Sequence, residues 1–194
     1  VNNTDKEFKM VETVSKMLPL GTKAPDFCLQ DTMTGKFMKL VDLASSTATV
    51  VMFICNHCPY VLLIREKLIE VAKTYQAKGI SFIAISSNDP IEFPADGPEA
   101  MRAEANSRHF PFPYLFDDTQ EVAKSYHAAC TPDFFVFDKD LLCVYRGRFD
   151  DAKPRNDRPV TGSELSAALD NILANKPVAA EQIPSIGCNI KWKK

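Results

Sequence analysis

Cys55-Asn56-His57-Cys58 is the pairing in this chain best suited to chemistry between two side chains. Two thiols at that spacing, at the start of a helix, lie close enough to pass between dithiol and disulfide. The flanking residues predict such a position. Ala48 to Ile54 is a near-continuous β-prone run, as in a strand covered on both faces. Beyond Pro59, Val61, Leu62, Leu68, Ile69, Ala72 and Tyr75 mark one helical face, with Arg65, Glu66, Lys73 and Gln76 opposite. Gly79 stands where a helix C-cap belongs, and Ile80 to Ile85 reads as a second buried strand. The cysteines therefore fall at the strand-to-helix turn of a βαβ unit.

Unpaired N–H groups and the positive helix end favour a thiolate at the first sulfur. The expected roles are Cys55 as nucleophile and Cys58 as resolving thiol. His57 between them either stabilises the Cys55 thiolate or faces solvent. A thiol pKa lowered by about two units corresponds to ~2.7 kcal/mol, which makes a disulfide more oxidising by roughly 60 mV. The competing use of C-x-x-C is half of a zinc site. Zinc takes four ligands, and no second pair stands at usable spacing, so no metal is expected.

Further along, Pro98 to Arg108 predicts a helix opened by proline, and Tyr114–Phe116 a short strand. Asp117, Asp118 or Thr119 is placed to cap a helix through His127. Phe134–Phe137 and Leu141–Tyr145 predict a β-hairpin across Asp138-Lys139-Asp140. Thr161-Gly162-Ser163-Glu164 has capping-box spacing and opens a last helix to about Leu173. Near the N-terminus, helical spacing at Phe8, Val11, Val14, Met17 and Leu18 is followed by an expected hairpin around the Asp31–Gly35 turn. The whole predicts one α/β domain over 1–194, with a mixed central sheet and helices on both faces. Its core runs from about 20 to 175, with a helical lead over 1–19 and an irregular tail over 176–194.

The chain has 194 residues, 45% hydrophobic and 25% charged, with a formal net charge of −2. That balance gives no footprint for nucleic acid or an acidic membrane surface, and no apolar run reaches membrane-spanning length. Six cysteines are too few for a disulfide-stapled scaffold, so a reducing cytoplasm is the expected compartment. Val1 to Lys6 carry no apolar signal segment, and a signal removed ahead of Val1 is compatible with this reading. Cys28 and Cys143, in predicted strands, are expected to be small buried hydrophobes. Cys130 is either a third thiol facing the dithiol or plain packing, and Cys188 in the tail either an accessory thiol or a bystander. His109 and His127 lack partners at motif spacing. The charge-dense stretch Arg146 to Arg158 reads as a solvated loop or a partner surface.

Several segments together resemble a known family. Leu20-Gly21-Thr22-Lys23-Ala24-Pro25-Asp26-Phe27 is similar to the entry segment of redoxin, or AhpC/TSA, domains. Phe53 to Val61, Cys130 to Phe137, Tyr145 to Asp151 and Pro184 to Trp192 resemble the peroxiredoxin-like thioredoxin branch. The resemblance implies a thioredoxin-like fold over roughly 17–192. It also implies that Thr131-Pro132 is the cis-proline loop, which faces the dithiol and presents backbone to substrate; an ordinary trans proline is the alternative. Pro59, Thr131 and Pro132 are then supporting residues.

The implied activity is thiol–disulfide exchange through a mixed disulfide. It acts on a protein or low-molecular-weight disulfide, with an external thiol reductant and no cofactor. Typical peroxiredoxins use P-x-x-x-T-x-x-C. Counting back from Cys55 gives Met52 and Ala48, and from Cys58, Cys55 and Val51, so neither register supplies the Thr or Pro. A thiol peroxidase is thus the enzymatic alternative, and a redox-sensing or metal-holding binding protein the non-enzymatic one.

Overall fold

The computed structural model describes residues 12–194. Its elements are β1 (Glu12–Val14), β2 (Cys28–Asp31), β3 (Phe37–Lys39), α1 (Leu40–Leu43), β4 (Ala48–Phe53), α2 (Pro59–Gln76) and β5 (Ile80–Ser86). There follow α3 (Pro98–Arg108), β6 (Tyr114–Phe116), α4 (Glu121–Ser125), β7 (Cys130–Thr131), β8 (Asp133–Asp138), β9 (Cys143–Gly147), α5 (Ser163–Leu173) and β10 (Ile186–Asn189). A mixed sheet runs in the order β3-β2-β6-β5-β4-β8-β9. The pairs β4–β5 and β5–β6 are parallel, and the others antiparallel.

Alternation along the central strand divides the core into two layers, because successive strand residues face opposite ways. Val50 and Met52 pack with α2, α3 and α5 through Ile64, Leu68, Met101, Leu165 and Leu169. Val51 and Phe53 face the other side, with Leu40 of α1 and Ala123 of α4. The Tyr126 ring there meets Phe53, Phe135 and Phe137, and its hydroxyl donates to Pro25 O at 2.8 Å. The α/β class with helices on both faces is therefore what the chain adopts. No helix among the described residues is long and apolar enough to cross a membrane.

Four expectations are corrected. Of the helical lead, residues 1–11 lie outside the described residues, and Glu12–Val14 is a strand because β10 offers it a pairing edge. The tail is not irregular throughout: β10 joins β1 and β7 in a second, three-stranded sheet. The capping box at Thr161 does not form. Gly162 is the N-cap, and Asp150 Oδ2 instead accepts the amides of Thr161 and Gly162, each at 2.7 Å. Cys28 is exposed, because its strand lies near the sheet margin, whereas Cys143 is buried. In the charged stretch, Arg148 pairs with Glu164 at 2.6 Å, which ties that loop to α5.

Candidate active site

Strand β4 ends at Phe53, Ile54 N donates to Ile85 O at 3.0 Å, and the chain then turns through Cys55–Cys58 into α2. Pro59 occupies the first helical position, where its missing N–H costs nothing. Cys58 is the N-cap residue. Opposite lies Thr131, and the Thr131–Pro132 bond is cis. Its hydroxyl stands 3.4 Å from Cys55 Sγ, and its carbonyl oxygen 3.1 Å from Cys58 Sγ.

The structure adds a third sulfur. Cys188 of β10 places Sγ 2.9 Å from Cys58 Sγ, and all three thiols are closed off: Cys55 is 3% exposed, Cys58 0% and Cys188 2%. Cys130 is buried nearby without joining this contact. Its thiol sits 3.8 Å from Pro132 O, and burial, then Asp133 and then Cys58, push its pKa up.

Electrostatics reverse the expected acidity of the pair. Thiol donors on Cys188 and then Cys55 lower the Cys58 pKa strongly, against the cost of burial, with the Val61 amide and Thr131 helping. Cys55 moves the opposite way: its thiol donates to Cys58, it is desolvated, and the Asp96 carboxylate faces it. As a neutral thiol, Cys58 donates to the Thr131 carbonyl; once deprotonated it is met by several donors. Helix α2 starts immediately after Cys58, so its amides and its dipole act on that sulfur rather than on Cys55. These groups together favour a thiolate on Cys58 over one on Cys55.

Asp96 was not visible as a site residue. It is fully buried in the turn Pro94–Asp96, where Oδ1 accepts Asn56 N–H and Oδ2 accepts Asn88 Nδ2, both at 2.8 Å. His57 Nδ1 lies 2.5 Å from the same Oδ2, and the ring stacks on Phe93 at 5.4 Å and 8°. An imidazolium here is matched by Asp96, so His57 does not act on Cys55 as a lone positive charge. Asn56 is further held by Tyr114, whose hydroxyl donates to Oδ1 at 3.1 Å.

Cys55, His57 and Asp96 bring one donor atom each within 4.8 Å of one another, which is a zinc-type donor set of three. Both Asp96 oxygens already accept hydrogen bonds, from Asn56 and Asn88, and Oδ2 also faces His57 Nδ1. The cluster is better suited to bracing the 55–58 turn. Replacing Asp96 with asparagine is expected to lower the pH midpoint of Cys55 alkylation, read in a Cys58→Ser background. It should also cost about 1–3 kcal/mol, since an amide cannot accept every donor aimed at the carboxylate. An unchanged midpoint would show that the Asp96 charge does not reach the sulfur.

A mixed sheet with helices on both faces and a βαβ unit at its centre is the architecture of a thioredoxin-like protein. The AhpC/TSA family profile matches residues 20–146, and the chain belongs to that family. It is similar in structure to a conserved protein from Geobacillus kaustophilus, at 53% identity and TM-score 0.93, covering 95% of this chain and 97% of that one. A hypothetical protein from Sinorhizobium meliloti is 48% identical at TM-score 0.90, covering 93% and 98%. A thiol:disulfide interchange protein of the thioredoxin family from Chlorobium tepidum shares the fold, at 16% identity and TM-score 0.61, covering 81% and 99%. No match was found among curated proteins. Family and fold together indicate activity of the thiol–disulfide oxidoreductase or peroxidase type.

Proposed function

We propose that this protein is a thiol–disulfide oxidoreductase whose working pair is Cys55 and Cys58. The observation that carries the reading is the place of Cys58 at the N-cap of α2, its sulfur 3.1 Å from the Thr131 carbonyl oxygen, with Cys55 Sγ 3.4 Å from the hydroxyl of the same threonine. The Cys58 thiolate attacks one sulfur of a protein or low-molecular-weight disulfide and expels the other as thiolate, leaving a mixed disulfide on Cys58. Cys55 then attacks Cys58 Sγ, releases the second substrate thiol and closes the Cys55–Cys58 bond. Its proton goes to the departing sulfur. Two electrons have passed to the substrate, and an external thiol reductant of the cytoplasm returns them. The sulfurs are buried at rest, so substrate entry needs a local opening of the 55–58 turn or of β10.

Mild oxidation should remove two titratable thiols and give a Cys55–Cys58 bond on peptide mapping. Cys58→Ser should abolish that loss and reduce turnover of glutathione disulfide to background. Retention of turnover by Cys58→Ser would sink this reading.

A peroxidase reading has one observation in its favour: the Thr131 hydroxyl lies 3.4 Å from Cys55 Sγ, where neighbouring sequence supplies no hydroxyl. No proline shields the sulfur from the usual position seven residues upstream, which is Val51. Peroxide consumption should therefore be slower than disulfide exchange under matched conditions. The opposite order in stopped flow would make peroxidase the primary activity.

A further inference from the structure

We propose that Cys188 is a third redox thiol, and that the disulfide migrates within the chain from Cys55–Cys58 to Cys58–Cys188, with Cys58 as the shared sulfur. This rests on the Cys55–Cys58 reading above and extends it to the fate of the disulfide once formed. The two sulfurs at 2.9 Å are within an ångström of the bonded distance of about 2.05 Å. Cys188 and Cys58 are 130 positions apart in sequence, so this approach is made by the fold, not by local geometry.

The fold fixes Cys188 there from several directions. Strand β10 pairs with β7 in the register Cys188↔Thr131 and Asn189↔Cys130, and with β1 through Glu12↔Cys188. Ile190 N donates to Ala129 O at 3.1 Å. Beyond it, Lys191 N donates to Asn88 Oδ1 at 2.8 Å, while Lys191 O accepts Asp89 N and Gln120 Nε2, both at 2.9 Å. Gly187 allows the approach, because a Cβ there would fall 2.0 Å from Thr131 O. Strand β10 thus takes up the Thr131 backbone edge beside the dithiol, and the residue it presents to Cys58 is itself a thiol. A segment that only covered the sulfurs would need no nucleophile at that point. In the reduced protein the hydrogen bond with Cys58 and burial push the Cys188 thiol up, with the Lys191 ammonium opposing them; the contribution of Cys58 is removed once that sulfur is in a disulfide.

In the exchange step, Cys188 loses its proton and its thiolate attacks Cys58 Sγ of the Cys55–Cys58 bond. The Cys58–Cys188 bond forms, the Cys55–Cys58 bond breaks, and Cys55 leaves as thiolate and takes up a proton. There is no net oxidation, so no outside oxidant is required. Cys55, beside Asp96, is well placed to keep that proton. By the same geometry Cys188 can resolve a mixed disulfide on Cys58 when Cys55 is absent.

The test treats wild type, Cys55→Ser, Cys188→Ser and the double variant with glutathione disulfide, followed by acid quench and peptide mapping. Wild type should yield both the Cys55–Cys58 and Cys58–Cys188 bonds, and Cys188→Ser only the first. Cys55→Ser should release glutathione and form Cys58–Cys188, whereas the double variant should retain glutathione on Cys58. If Cys55→Ser retains glutathione as the double variant does, and wild type shows no Cys58–Cys188 bond, the relay is overturned while the dithiol stands. If Cys188→Ser never forms Cys55–Cys58, the dithiol reading fails and the relay falls with it.

Discussion

Gly187→Ala is expected to dislodge β10 and open the sulfur cluster. A Cβ on residue 187 would sit 2.0 Å from Thr131 O and 2.7 Å from Thr131 C, both backbone atoms. No side-chain rotation relieves such an overlap, so either β10 or the β7 edge must move. Overpacking of a fixed site typically costs about 1–3 kcal/mol, and partial loss of the β1–β10–β7 pairing adds to it. For a chain of this size about 3 kcal/mol corresponds to a Tm lower by roughly 6–12 °C.

A second readout is more specific. In the wild type, Cys58 and Cys188 are almost wholly buried and should react slowly with a thiol reagent, while exposed Cys28 serves as an internal standard. In Gly187→Ala, Cys188 should approach the rate of Cys28, as should Cys58. Gly97→Ala is the control, since a Cβ there meets nothing closer than 3.3 Å. A Gly187→Ala protein with unchanged thiol protection would mean that β10 does not guard the centre.

The parts of this site that the sequence made legible are those whose neighbours in space are neighbours in the chain. A β-prone run, two cysteines, a proline and an amphipathic stretch describe the β4–α2 turn because strand and helix periods are local properties. Thr131-Pro132, ahead of Phe134–Phe137, was placed opposite the dithiol only by the resemblance to the thioredoxin-like family, not by local pattern. Cys188 was placed in the tail as a possible accessory thiol, but its strand was missed. Pro177 and Pro184 mask a four-residue element that exists only because β1 and β7 flank it. The assignment of acidity to Cys55 took the helix to act on the first sulfur, whereas α2 begins after Cys58; Cys188, brought in from a distance, then lowers Cys58, while Cys58 itself, burial and Asp96 raise Cys55. Asp96 lay in a proline-rich loop with nothing to separate it from surface carboxylates. Asp133, at the head of an otherwise apolar run Phe134–Phe137, is a buried acid that the sequence reading did not single out.

Asp133→Asn is expected to stabilise the protein above neutral pH and to flatten its pH dependence below it. Asp133 is fully buried at the start of β8, opposite Phe53, directly after the cis-proline. Ser15 Oγ donates to Oδ2 at 2.8 Å, while Oδ1 receives no aligned hydrogen bond among the described residues. Burial pushes the carboxyl up to about 7 from an ordinary value near 3.8, against the partial opposition of Ser15, Ser185 and the Phe134 and Ala129 amides. Between those two pH values the folded chain holds a proton that the unfolded chain has released. Its contribution is therefore present in full below about 3.8 and is lost as pH rises through about 7. A shift of this size corresponds to about 4 kcal/mol as an upper figure, with 1.36 kcal/mol per unit. Asparagine imitates the protonated acid, keeps an acceptor for Ser15 and cannot ionise. Urea unfolding of the two proteins under constant reductant should give similar stabilities near pH 4. The variant's advantage should grow to about 2–4 kcal/mol by pH 8. Parallel curves across that range would mean that Asp133 is already ionised in the folded protein at pH 4, and that Ser15, Ser185 and the two amides outweigh its burial.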